Sequence, residues 1–391
     1  MKILLKTLIF LTFVTSNNKF YGQAIGNVEK IEIQSKILNQ DREILIYTPA
    51  YYKESIYQYY DVIFVFDAQN REFFDLTHSL VSLLDENKTE KPFIVVGISA
   101  YTGKDKYARN DDFLPFPKYD KIENNLYGFG HANRDGFSKY IKQEVMPFLQ
   151  KNYRLSSRKL AVGHSLGASY VISTIIHQPN LFSSYIAISP NFSYDKERLS
   201  KEFVNYKFDE LEKDKFLFIS HADEQNYWKG WKESRDQVYD FLNSKKPAKV
   251  LFKIQEYINK GHRTSFLPAL YDGMKEYVQY LDSLPTQKHI VEITVNVPNK
   301  VDEVYITGNQ KVLGNWEEGK IRMDSISPFK RKISLTLANK TQIRFTNGNS
   351  KSNKVAEIEN YDLPWLYYIP ISTEFKSSLE FNILDWTENS F

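Results

Sequence analysis

The stretch Leu160-Ala-Val-Gly163-His164-Ser165-Leu166-Gly167 decides the reading of this chain. A short apolar run, Leu160 to Val162, enters a Gly-His-Ser-Leu-Gly turn, and an apolar-rich helical segment, Leu166–His177, leaves it. A serine at a strand-to-helix junction, with glycine two residues away on either side, marks a strained turn that lifts a hydroxyl clear of the sheet. Side chains at the glycine positions would collide with neighbouring backbone. The helix beginning at Leu166 points its free N–H groups and positive end at charge developing on that serine. Ser165 is therefore the expected nucleophile, and the Leu166 N–H an expected oxyanion donor.

Short apolar strands and amphipathic helices alternate on both sides of this turn, the pattern of an α/β sheet. Strands are expected at 29–37, 43–47, 62–66, 93–98, 159–162, 184–188, 216–220 and 249–255. Unbroken runs such as Val62-Ile-Phe-Val-Phe66 imply parallel strands covered on both faces. Helices are expected at 71–85, 137–150, 166–177, 227–243 and 266–284. The long polar and aromatic segment 101–131 reads as a functional loop.

A serine hydroxyl needs a base, and the chain holds seven histidines. The order for such a turn is serine, acid, histidine. His78 and His131 precede Ser165, His164 lies within the turn, His177 ends the following helix, and His221 occupies the position of the acid. His289 falls at a change in sequence character. His262, in Lys260-Gly-His-Arg263, is the remaining candidate. The acid is expected just after the strand at 216–220, where Glu224 is the first choice and Asp223 the alternative. A Ser–His pair without an acid is also open. A second oxyanion donor is expected after the strand at 62–66, from the backbone of Ala68 or Gln69. Arg109, Tyr127 and Trp228 are candidate substrate contacts. No cofactor is expected: the chain has no H-E-x-x-H, no phosphate-cradling glycine loop and no G-x-G-x-x-G after a strand.

The residues resemble the esterase family that includes esterase D and the enterochelin-type siderophore esterases. The resemblance runs over about 28–284. It is carried by Asp41-Arg-Glu-Ile-Leu-Ile-Tyr-Thr-Pro49, Val62 to Asp67, Val95-Val-Gly-Ile98 followed by Arg109, Tyr153-Arg154, Gly163 to Gly167, Ile188-Ser-Pro190 and Gly261-His262. It implies an α/β-hydrolase fold with a mostly parallel sheet, and a Ser–His pair acting on carboxylic esters. Ala168 stands where the family often has a second glycine, and Ala222 where a glycine often precedes the acid.

After Pro285 the pattern switches to period two, as in Val291-Glu-Ile-Thr-Val-Asn-Val297 and Lys332-Ile-Ser-Leu-Thr-Leu337. Residues 288–391 read as a small all-β, immunoglobulin-like sandwich. Val304-Tyr-Ile-Thr-Gly308, Leu313-Gly-Asn-Trp316 and Ile343-Arg-Phe345 resemble the starch-binding carbohydrate-binding modules of family 20. That resemblance makes Trp316 a stacking platform for a starch-like glycan, although 350–360 lacks the partner tryptophan.

Composition bounds the rest. With 51 basic and 48 acidic side chains in no like-charged block, a nucleic-acid partner is not expected. The absence of cysteine excludes disulfides, thiolate metal sites and a cysteine nucleophile. Lys2 and Lys6 around an apolar run to Val14, then Gly22-Gln-Ala24, read as a cleaved signal peptide over 1–24. No later segment reads as membrane-spanning. The expectation is a secreted or periplasmic serine ester hydrolase acting on a small-molecule or polysaccharide ester. An acyltransferase to a sugar or lipid, and a non-catalytic carbohydrate-binding surface protein, are its alternatives.

Overall fold

The computed structural model describes residues 26–84, 92–101, 108–119, 132–226, 228, 230–348, 354–361 and 368–388. The expected signal peptide, Tyr127 and most of the loop 101–131 lie outside the described residues.

Eight strands form one sheet in the order β1-β2-β4-β3-β5-β6-β7-β8. They are β1 Asn27–Ser35, β2 Gln40–Thr48, β3 Tyr60–Phe66, β4 Phe93–Ile98, β5 Leu155–His164, β6 Ser184–Ile188, β7 Lys215–His221 and β8 Val250–Glu256. The pairings of β1 with β2 and of β2 with β4 are antiparallel, and all others are parallel. This is the mostly parallel α/β-hydrolase sheet.

The unbroken apolar runs face two cores. Along β3, Val62, Phe64 and Phe66 join one buried layer while Ile63 and Val65 join the other. The first layer is closed by the helix Leu166–His177, by Trp231–Lys245 and by a long helix over 134–152 whose middle, Ile141–Val145, is π-helical. Arg71–Leu84 and Phe266–Ser283 close the second.

Two helices, Ala108–Phe113 and Tyr194–Val204, occur where the sequence pattern predicts none. The second opens on a left-handed turn, Asp195 to Glu197, and is polar on most of its faces, so no apolar period announces it. Buried Asp195 holds that turn by accepting the N–H groups of Lys118 and Tyr119 at 2.8 and 2.7 Å.

The C-terminal part is all β. Its strands are β9 Lys288–Asn296, β10 Tyr305–Gly308, β11 Ile321–Arg322, β12 Asp324–Ser327, β13 Lys330–Ala338, β14 Thr341–Thr346, β15 Lys354–Ile358, β16 Ile369–Ile371 and β17 Ser378–Glu388. They run in the order β11-β10-β14-β15-β17-β9-β13-β12, a sandwich wrapped nearly into a barrel, with β16 beside β14. The long strand β17, Ser378–Glu388, links the two faces: its first half runs parallel to β9 (Lys288–Asn296) and its second antiparallel to β15 (Lys354–Ile358). Val291, Ile293, Val295, Ile343, Phe345, Leu379 and Phe381 fill the core between them.

The two parts are joined through the segment before β3. The Tyr57 ring meets Phe381 at 5.1 Å and its hydroxyl donates to the Glu380 carbonyl at 2.7 Å. Tyr59 stacks on Phe375 at 4.1 Å, and the Ser372 N–H donates to the Tyr57 carbonyl at 3.0 Å. Between the parts lies a cleft of about 360 Å³ lined by Asp61, Arg158, Asn309, Lys340 and Glu374 among others. This junction sits at the N-terminal end of the parallel strands, whereas Ser165 follows the C-terminal end of β5. The β-sandwich therefore docks at the far end of the sheet, roughly 20 Å of strand away from the serine.

Candidate active site

Ser165 joins β5 to the helix Leu166–His177 with φ 58° and ψ −123°. That is a costly backbone for a residue with a side chain, of order 1–3 kcal/mol. Its neighbours leave it no alternative. A Cβ on Gly163 would come within 2.5 Å of the Gly167 backbone, and one on Gly167 within 2.9 Å of Asp67 Oδ2. The Ser165 N–H is tied to the Ile188 carbonyl at 3.0 Å, so the turn is anchored to β6. The hydroxyl does not cap its own helix.

His262 lies on the connection between β8 and the helix Phe266–Ser283. Its ring sits 4.5 Å from that of His164, which immediately precedes the nucleophile. Its Nδ1 is 3.2 Å from Glu224 Oε1. Nδ1 donates there, which directs Nε2 away from the carboxylate and leaves it free to accept a proton. Among the described residues no hydrogen bond joins Ser165 Oγ to His262 Nε2, a contact that commonly tightens only around substrate.

The two acids after β7 part company. Glu224 begins a 3₁₀ turn that folds its carboxylate inward, leaving the side chain 2% exposed. Burial alone would raise its pKa. The hydrogen bonds from His262 and from the Ala222 N–H (2.7 Å) outweigh burial and hold it at about 2. The buried Ser189 hydroxyl adds to that pull without reaching hydrogen-bonding geometry. Asp223 instead accepts the Asn259 N–H at 2.8 Å, and its own N–H donates to the Lys260 carbonyl at 3.2 Å. It clasps the loop that carries His262.

The expected oxyanion donors are sorted by what their N–H groups already do. The Ala68 N–H donates to the Ile98 carbonyl at 3.1 Å, so it is spent on the sheet, and the expectation for Ala68 is corrected. Among the described residues the N–H groups of Gln69 and Leu166 have no acceptor. The Gln69 side chain is tied at both ends, donating to Asp67 Oδ1 and accepting the Ala100 N–H, each at 2.8 Å.

Arg109 was expected to touch substrate. Its Nε and Nη2 instead grip buried Asp67 at 2.5 and 2.6 Å, directly behind the turn at Gly167. Its charge is committed to the scaffold, because an unpaired carboxylate at that depth would be costly.

Trp228 is 41% exposed and stands at the rim. It stacks on Trp231 at 4.7 Å, and both rings meet His262 edge to face, at 4.9 and 5.4 Å. Trp231 was not anticipated. Its spacing of three from Trp228, across Gly230 in a left-handed conformation, was the available signal. Trp316 lies in the other part of the chain, half-buried, 5.7 Å from Tyr368 and with Arg344 over its ring at 6.0 Å.

Residues 35–268 match the model of the family described as "Putative esterase". The chain is 25% identical over 223 residues to the ferri-bacillibactin esterase BesA of Bacillus subtilis, covering 54% of this chain and 76% of BesA. Among solved structures it resembles an IroE-like serine hydrolase from Shewanella oneidensis, with TM-score 0.55 and 22% identity over 65% of this chain and 80% of that one. The siderophore hydrolase EstA of Aspergillus nidulans matches with TM-score 0.56 and 19% identity over 66% of this chain and 95% of that one. At these identities the two structures speak to the fold.

Proposed function

Because this chain belongs to the Putative esterase family, and is a serine hydrolase of the α/β-hydrolase fold, we propose that it is an exported enzyme that cleaves carboxylic esters of the siderophore type through an acyl-enzyme. The observation that carries the mechanism is the buried Glu224–His262 hydrogen bond at the strand ends beside the strained Ser165 turn.

Ser165 Oγ attacks the ester carbonyl while His262 Nε2 takes its proton. Glu224 keeps the imidazole in the tautomer with Nδ1–H and offsets the imidazolium charge. The N–H groups of Leu166 and Gln69 receive the oxyanion. Collapse breaks the ester C–O bond, and the leaving alkoxide takes the proton from His262. Water, deprotonated by His262, then attacks the acyl-enzyme and releases the acid and Ser165.

The substrate class is supported by the activities that the names of BesA and EstA carry. It is also supported by the Trp228–Trp231 stack, which offers a planar face beside the base to a ring-bearing ester. Hydrolysis of ferri-bacillibactin and of the iron-free siderophore, followed by product mass, tests this. Cleavage of these at no more than the rate of a simple acetyl ester would remove siderophores from the account. Export rests on the basic-then-apolar leader over 1–24, and the mature N-terminus of the secreted or periplasmic protein would test it.

A second reading adds a glycan. Tyr368 beside Trp316 supplies an aromatic neighbour where a second tryptophan was missing. Slowed migration of the protein in a starch gel, lost in Trp316→Ala, would support it. Unaltered migration would remove starch.

A further inference from the structure

We infer that His164, the residue before the nucleophile, is a positioning residue whose Nε2–H holds the main chain of His262 at a fixed separation from Ser165. The inference rests on the serine-hydrolase reading and adds to it a group that touches neither substrate nor the reacting atoms.

His164 Nε2 lies 2.8 Å from the His262 carbonyl oxygen. A carbonyl can only accept, so Nε2 carries the proton and His164 is the neutral Nε2–H tautomer. Its surroundings keep it so. The ring is buried against Phe73 and Phe266, with centroids at 5.3 and 5.8 Å, and burial, followed by the nearby His262, brings its pKa down to about 4. The ring is thus a neutral donor throughout the range in which an imidazole base works.

The loop it grips needs gripping. Ile258, Asn259, Lys260, Arg263 and Thr264 are all exposed, so little packing fixes the excursion between β8 and the helix Phe266–Ser283. Its ties include Asp223 on Asn259 and Lys260, Glu224 on the His262 ring, Glu72 on Arg263, Ser265 Oγ on the His262 carbonyl at 2.9 Å, and His164 on the same carbonyl. Of these, only His164 belongs to the nucleophile's own strand, paired with Ile188 in β6. Its hydrogen bond joins the residue before the nucleophile directly to the main chain of the base. Misplacement of a catalytic group by about 1 Å costs on the order of 10²-fold in rate, so such a tie sets kcat more than substrate affinity.

The test uses the full chain with His164→Leu, which removes the donor, and His164→Gln, whose Nε2 can donate from a similar reach. Turnover of a soluble p-nitrophenyl ester, the rate of fluorophosphonate labelling and thermal melting are read together. We expect His164→Leu to lose about 50-fold or more in kcat with KM within about threefold, labelling slowed in parallel, and His164→Gln to return within about fivefold of the parent. A folded His164→Leu within about threefold of the parent, or a folded His164→Gln as slow as His164→Leu, overturns the inference. If His164→Leu does not melt cooperatively, His164→Asn replaces it, its amide one methylene too short. Asn at least about tenfold slower than Gln then supports the tie, and equal rates overturn it. Failure of the parent protein to label at all would overturn the hydrolase reading itself, and this inference with it.

Discussion

Glu224 Oε1 stands 3.2 Å from His262 Nδ1, while the carboxylate of Asp223, one residue earlier, turns the other way to hold the Asn259 N–H at 2.8 Å. Adjacent acids thus serve the same histidine by different routes, one through its ring and one through its loop. Glu224→Gln is expected to lower kcat by about 10²–10⁴, because an amide cannot offset the imidazolium charge and can favour the wrong tautomer. Asp223→Asn should cost about tenfold or less, since only loop placement suffers. Steady-state kinetics of the two variants check this, and a larger fall for Asp223→Asn would reverse the assignment.

The Asp67–Arg109 pair yields a test of scaffold against substrate contact. Arg109→Leu strands a buried carboxylate behind the nucleophile turn and should cost about 3 kcal/mol of stability, with turnover falling for neutral and anionic esters alike. Urea melts and kinetics on one ester of each charge measure it. A fully stable variant with a KM increase confined to anionic esters would return Arg109 to the substrate pocket.

Two buried groups at the site contribute to acid sensitivity. The unfolded chain protonates His164 at its ordinary pKa near 6.5, whereas the folded protein resists until about 4. The unfolded state therefore binds more protons in that window, and stability falls as pH drops through it, by at most about 1.4 kcal/mol per pH unit. Glu224, depressed from 4.5 to about 2, contributes stability that is complete above 4.5 and is lost as pH falls towards 2. Urea midpoints at pH 7, 5.5 and 4.5 should decline less steeply in His164→Gln than in the parent. Identical slopes would show that His164 does not resist protonation.

The junction of the two parts predicts a mechanical coupling without a chemical one. Tyr57→Ala removes a ring from the edge of the β-sandwich core and should destabilise that part by about 2 kcal/mol. Because Tyr57 lies at the opposite end of the sheet from Ser165, kcat on a soluble ester should hold. A large loss of kcat in a folded Tyr57→Ala would contradict the placement of the two parts.

How much of this was legible in the sequence depended on range. Phe93–Ile98 and Ser184–Ile188 have the bounds their apolar runs announced, because burial on both faces leaves an unbroken signal. The strained turn at Ser165 and the loop position of His262 beside Glu224 were legible because glycine spacing and chain order constrain them locally. The choice between Asp223 and Glu224 was not decided, since a 3₁₀ turn set which neighbour faces inward. The engagement of the Ala68 N–H with Ile98 and of Arg109 with Asp67 depends on partners thirty or more residues away, which no local pattern reports. The same holds for Tyr57 against Phe381. The helix Tyr194–Val204 escaped because its left-handed opening and polar faces carry no apolar period.

The mechanism turns on formation of the acyl-enzyme at Ser165. Its most direct test is intact-protein mass and peptide mapping after brief exposure to a fluorophosphonate, run beside Ser165→Ala with p-nitrophenyl ester turnover. One adduct is expected, on Ser165, none on Ser165→Ala, and a fall in kcat of about 10³ or more in that variant. An adduct on another residue, or a folded Ser165→Ala that keeps more than about a tenth of parental turnover, would contradict it.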